Sequence, residues 1–155
     1  MDPRIRPAHP GDADTIASIL CSAFAEFRPL YTEAGFRATV IPAADVLTRM
    51  SQGPVWLAEL DRGPAGTAAA VCRAEGLYIR GMAVIPSARG SGIARRLLAE
   101  AERFGRSQRL ARAFLSTTPF LHAAIRLYER AGYALAEASE HDLFGTPLVR
   151  MEKLL

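Results

Sequence analysis

The sequence predicts a single α+β domain, on three observations. The chain has 155 residues, 50% of them hydrophobic and 23% charged, which is the size of one globular unit able to bury a core. Apolar residues recur at helical spacing in several stretches, and short strand-like runs lie between them. No internal repeat, low-complexity tract or linker longer than a turn divides the chain, so residues 1–155 read as one domain.

The elements follow in order. Ile5 to Ala8 is a short extended run, after which His9, Pro10 and Asp12 resemble a cap, a first-turn proline and an acid at a positive helix end. The helix that follows carries Ile16, Ile19, Leu20, Ala23, Phe24 and Phe27 on one stripe and is expected to stop at Pro29. Leu30 to Ile41 has no clean period and reads as loop or irregular helix, and a second helix is expected over Ala43 to Met50. Three strands come next, Val55 to Glu59, Gly66 to Arg73 and Leu77 to Val84. AspArgGlyPro and AlaGluGly separate them, turn compositions that predict an antiparallel meander. A helix over about Ser91 to Arg106 and a buried strand Ala113 to Ser116 predict a parallel crossover. Thr118 and Pro119 are expected to open a last helix that Gly132 closes. Strands Tyr133 to Ala136 and Leu148 to Leu154 end the chain, joined through AspLeuPheGlyThrPro.

Composition restricts the function classes. No apolar run approaches the ~20 residues of a membrane span, and Met1 to Pro10 lacks a signal-peptide pattern, so no membrane partner and a cytoplasmic location are expected. Cys21 and Cys72 sit in apolar contexts without metal spacing, and two buried free thiols with no metal site are expected. The net charge is only +3, yet Arg89 to Arg130 holds nine arginines against Glu100, Glu102 and Glu129. Such a stretch suits an anion or a solvated basic face. A nucleic-acid surface would need a recognition motif, and none accompanies the charge, so no nucleic-acid partner is expected.

The sharpest local feature is strand Leu77 to Val84, then IleProSerAla, then Arg89, Gly90, Ser91, Gly92, Ile93 and Ala94 at the mouth of a helix. A helix start presents unsatisfied N–H groups and a positive dipole end, and glycine lets phosphate oxygens approach them. The same glycines also suit a tight turn alone. A mononucleotide loop needs Lys and then Ser or Thr after its last glycine, whereas Ile93 and Ala94 stand there. A dinucleotide fingerprint needs a small sixth residue and an acid about 20 residues on; the sixth is Arg95, and no acid occurs between Glu102 and Glu129.

What matches is Arg or Gln, two residues, Gly, one residue, Gly or Ala, met by Arg89, Gly92 and Ala94 directly after an apolar strand. This resembles the acyl-CoA pyrophosphate loop of the GNAT superfamily of N-acyltransferases. Ala124, Leu127 and Tyr128, then Gly132 and Tyr133, look like that superfamily's second hallmark, in the right order with a strand between. The resemblance covers nearly the whole chain and is weakest over Phe27 to Pro42.

The resemblance implies a three-layer α/β/α fold around a mixed, mostly antiparallel sheet that splays at the acyl-CoA site. It implies an acetyltransferase using acetyl-CoA, with an amine of a small molecule, amino acid or peptide as acceptor. Residue by residue, Met82, Ala83 and Val84 would pair with the pantetheine arm. Backbone amides of Arg89 to Ala94 would take the pyrophosphate, with Arg95 or Arg96 adding side-chain contacts. Tyr128 would protonate the departing thiolate, although it shares a row with Leu121 and Ile125 and also reads as core. Where members often carry Asn, this chain has Leu121, with His122 beside it and expected to face solvent. The amine needs a proton acceptor, a water chain or Glu75. Phe27, Tyr31, Tyr78 and Arg80 are the candidate acceptor-pocket residues, and Arg80 suggests an acidic acceptor. Relatives frequently pair into homodimers through edge strands. A noncatalytic acyl-CoA-binding module is the competing reading, motivated by the missing Asn.

Overall fold

Side chains of the central strands alternate between two apolar layers, and the helices settle on both. In the computed structural model, which describes residues 2–136 and 141–155, the strands are β1 (Arg4–Pro7), β2 (Val55–Leu60), β3 (Gly63–Arg73), β4 (Gly76–Val84), β5 (Arg112–Thr117), β6 (Ala134–Leu135), β7 (His141–Leu143) and β8 (Thr146–Leu154). The helices are α1 (Ala13–Phe24), α2 (Glu33–Thr39), α3 (Ala43–Gln52), α4 (Ile93–Ser107) and α5 (His122–Arg130). Strand order is β1-β2-β3-β4-β5-β8-β6, with β7 added on β8. All pairs are antiparallel except β4 with β5. On β2, Val55 and Leu57 join the cluster under α1 and α3, while Trp56 and Ala58 join the cluster under α4 and α5. The sheet is thereby covered on both faces, as the resemblance implied.

Helix α4 sets the depth of the site because it lies tight on the sheet. Ile93, Leu97, Leu98 and Ala101 are each no more than 1% exposed, and burying a Leu or Ile contributes about 1.5–3 kcal/mol. At its far end Gly105 permits close approach, since a Cβ there would stand 2.8 Å from Leu155 Cδ1 and 3.0 Å from Leu77 Cδ2.

Several boundaries differ from the sequence reading. Helix α1 ends at Phe24, and a 3-10 stretch, Ala25–Leu30, carries Phe27 and contains Pro29. The unperiodic segment after it holds α2, capped by Thr32 Oγ1, which accepts from Gly35 N at 3.0 Å. Helix α5 starts at His122 with Leu121 before it, so Thr118 and Pro119 do not cap it. They lie in the turn after β5, where Leu121 N donates to Thr118 O at 3.1 Å. AspLeuPheGlyThrPro is no plain connection: it is a hairpin of β7 and β8 turning at Phe144 and Gly145. Both cysteines are exposed, correcting the expected burial. Cys21 falls off the Ile16, Ile19, Leu20 and Ala23 stripe of α1, and Cys72 lies near the end of β3, past the part that the helices cover. Among the described residues no helix is long and apolar enough to cross a membrane.

Candidate active site

The site begins as a fault in the sheet. Strands β4 and β5 pair only through Leu77 with Ala113 and Tyr78 with Phe114. Beyond Tyr78 they part, so among the described residues no strand lies beside the β5-facing backbone edge of β4 from Ile79 to Val84. On the β3 side, Gly81 and Met82 together oppose the single residue Ala68, which is a β-bulge. Gly81 adopts φ +64°, a left-handed conformation that glycine adopts without strain. The bulge re-aims the strand end next to the gap.

A cavity of about 1170 Å³ fills this gap and continues to the mouth of α4. It is lined by Met82, Ala83 and Val84 along β4, by Arg89, Gly90, Gly92, Ile93, Ala94 and Arg95 at the turn, and by Tyr128 from α5. Phe27, Tyr31, Tyr78 and Arg80 line its other end. The fold thus brings these predicted site residues to one cleft. Ser91 and Arg96 do not line it, and the Ser91 hydroxyl turns back to donate to Ala88 O at 2.5 Å.

Local geometry at the turn explains its anion-site character. Gly90 and Gly92 have φ +80° and +83°, and a Cβ at either would meet nothing within 4 Å, so the space before the helix is open. The first helical bond runs from Arg96 N to Gly92 O at 3.1 Å, leaving the amides of residues 93–95 without an intrahelical acceptor. Arg89 takes a different part. Its N–H donates to Pro86 O at 3.3 Å, and its guanidinium reaches Glu26 at 2.5 Å and Ala23 O at 3.1 Å. It fastens the turn to the end of α1, so the free amides begin at Gly90. Arg103, Arg106 and Arg112 are likewise paired, with Glu100, Glu102 and Glu152. Arg95 and Arg96, exposed in the first turn of α4, form no ion pair among the described residues.

Tyr128 is 8% exposed, and its hydroxyl lies 3.9 Å from Met82 Sδ, joining α5 to the strand edge. Burial pushes its phenol up to about 12, so it stays a proton donor through neutral pH. Its ring meets that of Tyr133 edge-on at 6.1 Å. Behind it Tyr133 donates to Glu102 Oε2 at 2.9 Å, and Lys153 to Glu102 Oε1 at 2.9 Å. Burial, and then the Glu102 charge, raise the Tyr133 phenol well above its usual range.

The other end of the cleft is aromatic and cationic. Tyr31 makes edge contacts with Phe24, Phe36 and Phe120 at 6.5, 5.8 and 5.0 Å. Tyr78 stacks on Phe114 at 5.2 Å and lies under Arg73 and Arg80. Thr32 ties this end to the C-terminal hairpin, its N–H donating to Thr146 Oγ1 and its hydroxyl to Phe144 O, both at 2.9 Å. Glu75 stands outside the cleft, exposed in the turn between β3 and β4, which removes it as the proton acceptor. His122 is exposed at the start of α5, on the rim. Arg49 and Arg130 also line the cavity, and the sequence reading missed them. Arg49 lay in an amphipathic helix with nothing to mark it; Arg130 was counted only as one of the basic stretch. Among the described residues no group of His, Cys, Asp and Glu could hold a metal.

The model of the acetyltransferase (GNAT) family matches residues 16–133. Among solved structures, the PaiA N-acetyltransferase from Thermoplasma acidophilum in complex with coenzyme A is similar with a TM-score of 0.83, at 17% identity over 100% of both chains. A GCN5-related N-acetyltransferase from Rhodopseudomonas palustris scores 0.82 at 19% identity, over 100% of this chain and 97% of that one. A ribosomal-protein-alanine N-acetyltransferase from Brucella melitensis scores 0.77 at 23% identity, over 98% and 99%. No curated protein matches the chain.

Proposed function

Since the chain belongs to the acetyltransferase (GNAT) family, whose acetyl donor is acetyl-CoA, we propose that it transfers the acetyl group to a primary amine of a small molecule, amino acid or peptide. The observation that carries this reading is one cleft joining the open β4 edge, the αL glycines of the turn and the Tyr128 hydroxyl. The donor set fits the cofactor, with free amides and room without Cβ atoms for a pyrophosphate, and an unpaired strand edge for an amide-bearing arm. Acetyl-CoA supplies the thioester whose carbonyl a neutral amine attacks, giving an amide and a free thiol.

The residues then have separate tasks. Met82, Ala83 and Val84 would hold the pantetheine arm by backbone groups, while the amides from Gly90 to Ala94 and the Arg95 side chain would hold the phosphates. Tyr128 would hold the proton that a departing thiolate needs. A water chain takes the proton of the amine. The structural neighbours named as N-acetyltransferases support nitrogen as the attacking atom.

Thiol release from acetyl-CoA with a panel of primary amines tests the reading; tight cofactor binding with no turnover on any amine would reject it in favour of a noncatalytic acyl-CoA-binding module. A variant tests the turn separately. Gly92→Val places a β-branched residue at φ +83°, costing about 1–2 kcal/mol of backbone strain, and crowds the amides. The expected result is a KM for acetyl-CoA raised at least about tenfold, with Tm lower by roughly 2–8 °C.

A further inference from the structure

Two guanidiniums stand at the acceptor end of the cleft, and among the described residues no carboxylate forms an ion pair with either. Arg80 projects from β4, four residues and so roughly 13 Å of strand ahead of Val84, and Arg49 comes from the last turn of α3; both line the cavity. They meet at the bulge. A Cβ added to Gly81, the residue after Arg80, would stand 2.5 Å from Arg49 Nη1. Arg80 donates through Nη2 to Gln52 Oε1, while its Nε is buried with no acceptor. Neither guanidinium forms an ion pair among the described residues.

Burial lowers both guanidiniums from their ordinary range, and the charge of Arg80 lowers Arg49 further. Tyr78 offsets part of this for both, and Asp45, exposed one turn earlier on α3, offsets part for Arg49. Arg73 adds a third cation over the Tyr78 ring at 4.3 Å. Two like charges drawn out of water together cost free energy that a bound anion returns. The phosphates of the cofactor are assigned to the glycine turn, so an anion bound here would be a second one.

We propose that Arg49 and Arg80 bind a carboxylate on the acceptor, which makes the substrate an amine that is also a carboxylic acid. A guanidinium offers a planar fork matched to two carboxylate oxygens, and Arg49 and Arg80 both line the cavity without a carboxylate ion-paired to them among the described residues. The aromatic wall of Tyr31, Phe24 and Phe120 then faces the rest of the molecule. This inference rests on the acetyl-transfer reading of the same cleft.

The test pairs each common amino acid with its own carboxamide as acceptor and follows thiol release from acetyl-CoA. The acid is expected to exceed its amide in kcat/KM by at least about tenfold for the accepted side chains, since a neutral amide leaves buried cations unmatched. Arg49→Gln and Arg80→Gln should each collapse the acid-to-amide ratio toward one. That ratio is taken within one preparation, so it does not depend on how much of a variant is folded. Amides turned over as well as acids by the unaltered protein would overturn the carboxylate site and leave acetyl transfer standing. Refusal of acids and amides alike, with turnover on other primary amines, would also overturn the carboxylate site alone, and no turnover on any amine would overturn both.

Discussion

Tyr128→Phe is expected to lower kcat by about 10²- to 10³-fold while the Kd for acetyl-CoA stays within about twofold, as removal of a general acid does. Several features separate this from a packing role. Among the described residues the hydroxyl bonds only a thioether, a weak acceptor, at 3.9 Å, so deleting it leaves no strong hydrogen bond there unmade. Phe keeps the ring, its edge contact with Tyr133 and nearly all the buried area. Tm should therefore change by no more than roughly 2 °C. The phenol, raised by burial to about 12, stays protonated at every pH where an amine acceptor is assayed, so the rate should show no loss from its ionisation below about pH 10. A residue that only fills the core would give unchanged kcat.

Glu102→Ala should act the other way, on stability. Glu102 is 6% exposed and accepts from Tyr133 and Lys153, with Arg106 at 3.8 Å. This one carboxylate ties α4 to the segment after α5 and to β8. Its loss leaves a buried phenol and a partly buried ammonium without their acceptor. Removing one partner of a fully buried ion pair costs about 3–5 kcal/mol; Lys153, with its side chain 23% exposed, reaches water, and about 2–4 kcal/mol is expected here. Thermal unfolding should show Tm lower by roughly 5–15 °C. Because Tyr133 also backs the Tyr128 ring, kcat should fall modestly at temperatures where the variant is folded.

Much of this architecture was legible where side-chain period and turn chemistry agree. The α1 stripe, the three-strand meander, α4 and the parallel step to β5 each follow from spacing, and the glycines before α4 marked the site because their alternatives could be eliminated by residue type. The misses share a cause, which is that long-range contacts decided them. Helix α2 is seven residues long and is held by Thr32 against Thr146, a partner 114 positions away. Thr118 and Pro119 look like a cap and a first-turn proline, yet the chain needs another turn to leave β5 before α5 can start. Arg49 has no signature of its own; only the bulge at Gly81 brings it beside Arg80. Glu75 and Arg80 lie five residues apart in one hairpin, but the strand carries Arg80 into the cleft and leaves Glu75 in the exposed turn.

A crystal structure of the protein grown with coenzyme A tests the central claim most directly. The account predicts the pantetheine arm in the gap between β4 and β5 beyond Tyr78, with pyrophosphate oxygens about 2.7–3.2 Å from backbone amides between Gly90 and Ala94 and the sulfur beside Tyr128. Density for coenzyme A elsewhere, with the gap closed by β4 and β5 or filled by side chains alone, would contradict it.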